Sequence, residues 1–228
     1  MKTLKLTFAA IVLGLFSIQS TAQIKVGAFT GLSHTNANIE GLSASILPET
    51  HGRSFIPVGL VVDYQLDKRF TVSSGLTYST KGFGISESTN VNLLGISLPV
   101  GVKANTRVNA LEVPLHLKYT IGNEKLKLYG IAGPRINMNM DGEIRTFAST
   151  IVDIPLTTTD IDFGNRNFNR MTVGGDLGLG VESAYGSGYF FAEALYQKDF
   201  GRTILEETIQ SGITLDGVSM RLGYKMAL

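Results

Sequence analysis

The residues of this 228-residue chain whose types could carry chemistry are three histidines, His34, His51 and His116, and the paired acids Asp160 and Asp162. A serine, an imidazole and a carboxylate brought together make an activated nucleophile. His51, Asp162 and a serine of the same polar segments would supply those parts, but nothing in their spacing fixes a mutual distance, so no catalytic residue is assigned. His34 and His51 have no metal-ligand spacing and no third ligand. Asp160-Ile161-Asp162 lacks the glycine and closing glutamate of a calcium loop. Gly174-Gly175-Asp176-Leu177-Gly178-Leu179-Gly180 looks like a dinucleotide fingerprint, but no helical pattern follows it, and strand alternation accounts for its glycines. There is no cysteine. That removes thiolate zinc, thiol catalysis, iron–sulfur clusters, disulfides and the cysteine-linked lipid anchor together. The chain is therefore read as a non-enzyme with no catalytic, cofactor-binding or metal residues and no cofactor. Twenty basic residues against nineteen acidic ones also leave no electrostatic footprint for nucleic acid.

The elements that would position any site begin after a leader. Lys2 and Lys5 precede or open an apolar run from Leu6 to Ile18, and Ser20 and Ala22 give a small-x-small exit. This is the pattern of a secretory signal peptide over residues 1–22, with residues 23–228 as one domain. The run is shorter than the ~20 residues that cross a bilayer as a helix. Losing two lysines from a chain of net charge +1 leaves one net negative charge.

Beyond Gln23 the sequence alternates with period two. Leu111, Val113, Leu115, Leu117 and Tyr119 oppose Glu112, His116, Lys118 and Thr120. Val218, Met220, Leu222, Tyr224, Met226 and Leu228 oppose Ser219, Arg221, Gly223, Lys225 and Ala227. Met171, Val173, Leu177, Leu179 and Val181 oppose Thr172, Gly174, Asp176, Gly178, Gly180 and Glu182. Weaker alternation runs through 24–33, 56–65, 70–81, 126–138 and 189–198, which makes eight strands. Tight connections fall near Asp67-Lys68, Asn123-Glu124 and Tyr185-Gly186-Ser187-Gly188. Long ones span 34–53, 82–107, 139–170 and 200–212. Long and short connections alternate strictly, so the long ones gather at one end, with Thr150 and Glu207, and the tight ones at the other, with Asp67 and Asn123. The reading is all-β: an eight-stranded antiparallel up-and-down transmembrane barrel with external loops and periplasmic turns.

A soluble lipocalin-like ligand binder would show the same alternation with its faces reversed. The face opposite the apolar one carries Asp63, Lys81, Glu112, Lys118, Lys127, Arg135, Asp176, Glu182, Glu193, Arg221 and Lys225. In a membrane barrel these fill the lumen and must pair with one another. Gly174, Gly178, Gly180 and Gly223 share that face and would leave a narrow bore room for long charged side chains. Tyr64, Tyr119, Tyr196 and Tyr224 near strand ends fit interfacial girdles. Pro114 and Pro134 stand against a closed ladder, and require bulges or positions above the hydrogen-bonded ring.

Leu111-Glu112-Val113-Pro114-Leu115-His116-Leu117-Lys118-Tyr119 resembles a strand of the PorT-like outer-membrane β-barrel family of Gram-negative bacteria. Gly130-Ile131-Ala132-Gly133-Pro134-Arg135 is similar to that family's next strand. Asp176–Glu182, Glu193–Tyr196 and Leu222–Lys225 are similar to its last three. The family usually closes on an aromatic residue, whereas this chain ends Tyr224-Lys225-Met226-Ala227-Leu228. The resemblance implies an outer-membrane location, outer-membrane lipid as surroundings, and the barrel-assembly machinery as a partner during insertion. It implies either a structural or interaction role with surface partners, or a component of a protein-export complex. A lipid-modifying barrel enzyme is the further alternative.

Overall fold

The computed structural model describes residues 24–40, 49–93, 96–123, 125–149, 153–161, 163, 169–200, 204–206 and 211–228. The expected leader over 1–22, Glu124, Thr150, Asp162 and Glu207 lie outside the described residues. The strands are β1 (Ile24–Glu40), β2 (Glu49–Phe55), β3 (Val58–Gln65), β4 (Phe70–Leu93), β5 (Ile96–Gly122), β6 (Leu126–Ser149), β7 (Asp153–Asp160), β8 (Met171–Tyr185), β9 (Gly188–Asp199), β10 (Ile204–Glu206) and β11 (Ser211–Ala227).

Eight of these close a ring in the order β1, β3, β4, β5, β6, β8, β9, β11, with β11 pairing antiparallel to β1 from Lys25↔Ala227 to Glu40↔Gly212. The other three are extensions of that ring. β2 continues β3 beyond Ile56-Pro57, β7 pairs with β6, and β10 pairs with β11. The segments expected as long loops are thus largely strand. β4 and β5 run 24 and 27 residues and stay paired to Leu93↔Ile96, whereas a bilayer needs only ~9–11 residues per strand. The hairpins therefore project well past the membrane at the end opposite the tight turns.

The turns hold by short-range chemistry. Asp67 Oδ1 accepts the N–H groups of Arg69 and Phe70 at 2.6 and 2.8 Å. Those two donors hold the Asp67 carboxyl below the usual carboxylate range. Asn123 Oδ1 likewise accepts from Lys125 and Leu126, both at 3.0 Å. Gly186 turns the third hairpin with φ 60°, a left-handed conformation that glycine adopts freely.

The expected facing holds along every ring strand. Leu115, Leu117, Leu177, Leu179, Met220 and Leu222 are exposed, while Asp63, Glu112, Lys118, Arg135, Asp176, Glu182, Glu193, Arg221 and Lys225 are buried. Lys127 is half-buried. Leu115 is 55% exposed on the outer wall, and its neighbour His116 is buried in the bore. A water-soluble barrel would be built the other way round. On the outer wall at the turn end, Tyr185, Phe190 and Tyr224 stack with ring centroids 5.2 and 4.9 Å apart. Phe70 and Tyr119 add a pair at 5.3 Å. This is an aromatic belt at the membrane boundary.

The two prolines need no bulge. The β5–β6 ladder stops at Pro114↔Arg135 and resumes at Leu117↔Ala132 without a register shift; its one shift lies at Asn109/Ala110. Pro134 falls in that gap, whereas Pro114 falls in a second gap on the other side of β5, where the β4–β5 ladder stops at Ser74↔Leu115 and resumes at Thr77↔Glu112, also without a register shift. The Pro114 carbonyl is taken up by the Ser74 hydroxyl at 2.8 Å.

Candidate functional site

Among the described residues, the bore gathers ionisable groups from all around the ring, and these fall in two clusters. At the turn end, Lys118 Nζ lies 3.2 Å from Asp63 and 2.9 Å from Glu193. Lys225 Nζ lies 2.7 Å from Asp63 and 2.6 Å from Glu182, and Lys25 pairs with the other oxygen of Glu182. Three lysines thus share three carboxylates in a closed set. The Tyr129 hydroxyl donates to Glu193 at 3.0 Å. Lys118 and Lys225 lie 5.1 and 5.7 Å from the Tyr129 ring centroid, within cation–π range.

Further in, Arg135 is 1% exposed and is the hub of the second cluster. Its Nη1 donates to Glu112 at 2.8 Å, its Nε to Asp176 at 3.0 Å and its Nη2 to Asp199 at 3.0 Å. Lys81 bridges Glu112 and Asp199 at 3.0 and 3.2 Å. His116 Nε2 shares a hydrogen bond with Asp176 at 2.9 Å, and Ser79 and Asn137 complete the shells of Glu112 and Asp199 at 2.9 and 3.0 Å. A guanidinium has donors in a fixed fork, so it can join several carboxylates at once where an ammonium acts as a point charge. Arg221 enters from β11 with its guanidinium 4.9 Å from the Phe29 ring centroid.

The glycines on this face serve a partly different purpose from the one expected. A Cβ at Gly174 would meet Asp199 Oδ1 at 2.8 Å and Arg135 Nη2 at 3.1 Å, which is room for charge. At Gly180 and Gly223 it would meet the rings of Tyr129 and Phe191 at 2.4 and 2.6 Å. Those glycines make room for aromatic rings inside the bore. Phe29, Val61 and Phe191 form one buried apolar cluster, and Tyr129, Ile131 and Leu195 another. Sequence reasoning placed neither, nor did it include Lys25 and Asp199 among the lumen charges. The signal was parity. Lys25 shares the face of Phe29, and Asp199 that of Glu193.

The other singled-out residues are scattered. His34 Nδ1 is hydrogen-bonded to Ser54 Oγ at 3.0 Å, and His51 Nε2 to Ser86 Oγ at 2.7 Å, on exposed strand rather than loop. Asp160 lies elsewhere, beside Arg107, Asp141 and Arg145 in an outer cleft of about 330 Å³. His34 and His51 therefore each meet a serine, but Asp160 joins neither pair. Among the described residues no group of three or more His, Cys, Asp and Glu side chains could hold a metal ion.

Residues 19–197 match the outer membrane protein beta-barrel domain. The chain belongs to that family. This outer-membrane barrel sits in the cell outer membrane, and its ring resembles those of small barrels of known structure. OprG from Pseudomonas aeruginosa is 13% identical, with 91% of this chain and 95% of that chain covered and a TM-score of 0.50. Ail, the attachment invasion locus protein of Yersinia pestis, is 13% identical over 89% of this chain and 98% of its own, with a TM-score of 0.42. No curated protein matches the sequence.

Proposed function

We propose that this outer-membrane barrel acts by display and interaction, with a lumen closed by its own side chains and with no catalytic role. The observation that carries this reading is the Arg135 hub. One guanidinium joined to three carboxylates from β5, β8 and β9 ties the wall together across the bore and leaves little continuous water there. The long hairpins of β4–β5 and β6–β7 are then the working surface. In this reading the leader over residues 1–22 directs export, the tight turns face the periplasm and the hairpins face outside. The partners are outer-membrane lipid around the apolar band, the assembly machinery during insertion, and surface proteins at the hairpins. The strand from Leu111 to Tyr119 supports placement among PorT-like barrels, and with it a second reading as part of a protein-export complex.

The chain has no cysteine, so single cysteines report cleanly. Leu156→Cys on β7 and Lys125→Cys in a tight turn are treated with a membrane-impermeant maleimide on intact cells. Labelling at 156 and not at 125 is expected; the reverse pattern overturns the display reading. Co-purification of export components with the barrel from native membranes would favour the second reading over the first.

A further inference from the structure

The turn-end mouth holds more positive charge than its carboxylates can use. Its cavity, of about 20 Å³, is lined by Lys25, Lys68, Lys118 and Lys127 but only by Asp63 and Glu182 among the acids. Lys118, Lys225 and Lys25 already occupy Asp63, Glu182 and Glu193. Among the described residues neither Lys68 nor Lys127 comes within ion-pair distance of a carboxylate; Lys127 stands opposite Glu182 on β8, but Lys25 and Lys225 already hold both oxygens of that carboxylate, so two positive charges are in excess. Lys127 is not simply solvated. It is half-buried, and its ammonium lies 5.5 Å from the Tyr189 ring centroid, over which Lys25 already sits at 3.8 Å. Two like charges drawn to one ring are held against their repulsion, and an anion between them and Lys68 would relieve it.

We propose that this mouth binds a phosphate monoester, with Lys127 and Lys68 as the principal ligands and Lys25 beside them. The charge argues for the class. A monoester carries about −1.5 to −2 at neutral pH and a carboxylate only −1, and two lysines are in surplus. The size agrees, because a cavity needs roughly 10–15 Å³ to admit one water-sized group. One phosphate oxygen enters while the others stay at the rim. Such a group could come from soluble phosphate or from a phosphatidic-acid headgroup.

The test uses the whole barrel, refolded in phosphatidylcholine nanodiscs and checked for folding by heat-modifiable gel mobility. Inorganic phosphate is titrated in by calorimetry at neutral pH. Saturable binding is expected, weakened at least tenfold by Lys127→Gln and again by adding Lys68→Gln, and unchanged by Lys125→Gln in the neighbouring turn. Absence of saturable binding, or equal binding by the Lys127→Gln protein, overturns the site; acetate binding as tightly as phosphate overturns the monoester assignment. Repeating the titration in discs containing phosphatidic acid separates the sources. Loss of phosphate binding there assigns the headgroup as occupant, and retention assigns the soluble anion.

Discussion

The two charge clusters of the lumen contain similar numbers of ions and are built on different logic. At the turn end, lysines from β1, β5 and β11 share three carboxylates, and two more lysines line the mouth in excess of those acids. Further in, Arg135 and Lys81 satisfy Glu112, Asp176 and Asp199, with His116 on Asp176, and the fork of the guanidinium fixes the geometry. The inner cluster is closed upon itself. The outer rim of the turn end is open and positive. Arginine with matched acids makes a self-satisfied cluster, and surplus lysine makes a positive rim.

The sharpest way to break this contrast is at the hub. Arg135→Met leaves three buried carboxylates to Lys81 and His116, and removing one partner from a buried ionic set costs about 3–5 kcal/mol. Urea unfolding in lipid vesicles measures it. The same charge on the other side of the wall should also destabilise: Leu115→Arg faces hydrocarbon and should cost roughly 2–4 kcal/mol near the midplane. An arginine is thus stabilising in the bore and harmful one wall-thickness away. If Leu115→Arg proves neutral in the same assay, the facing assignment fails.

At the turn end the effect should be smaller. Lys25→Met leaves Glu182 paired with Lys225, so the loss should be about 1.5–3 kcal/mol, the scale of one charged hydrogen bond. A cost equal to that of Arg135→Met would erase the distinction between the clusters. The smallest effect belongs to the Asp67 turn, which lies outside both. Its folded carboxyl titrates below its ordinary value because Arg69 and Phe70 donate to the charged form. The stabilisation is therefore complete above the ordinary aspartate range, near pH 3.9, and is lost as pH falls through the lowered folded value. Wild type should exceed Asp67→Ala in unfolding midpoint at neutral pH, with the gap closing only in strong acid.

Most of the ring was legible because alternation is a direct image of two faces in different solvents. Leu111–Tyr119 and Val218–Leu228 gave facing, lumen charge and strand direction at once. The projecting hairpins were not legible as strand, since the contrast between the faces fades there and polar residues such as Asn105 and Arg107 interrupt it. Yet Val100, Val102, Ala104, Thr106 and Val108 keep the period of two, and that faint pattern was the signal. Pairing inside the bore was legible in kind but not in detail. Parity puts Arg135 inward, but strand tilt and stagger decide that it meets Asp199, 64 residues away, as well as Glu112. His34 and His51 could not be placed from sequence, because their partners Ser54 and Ser86 come from the same hairpin extensions that read as loop.

If the Arg135 cluster closes the bore, as proposed, the barrel alone conducts no ions. Planar-bilayer recording on the purified, refolded barrel at moderate salt tests it most directly. A quiet membrane is expected for the wild-type protein, with no steady ion-conducting steps. Large, stable, uniform conductance steps from the barrel alone would contradict it and show the lumen to be an open pore.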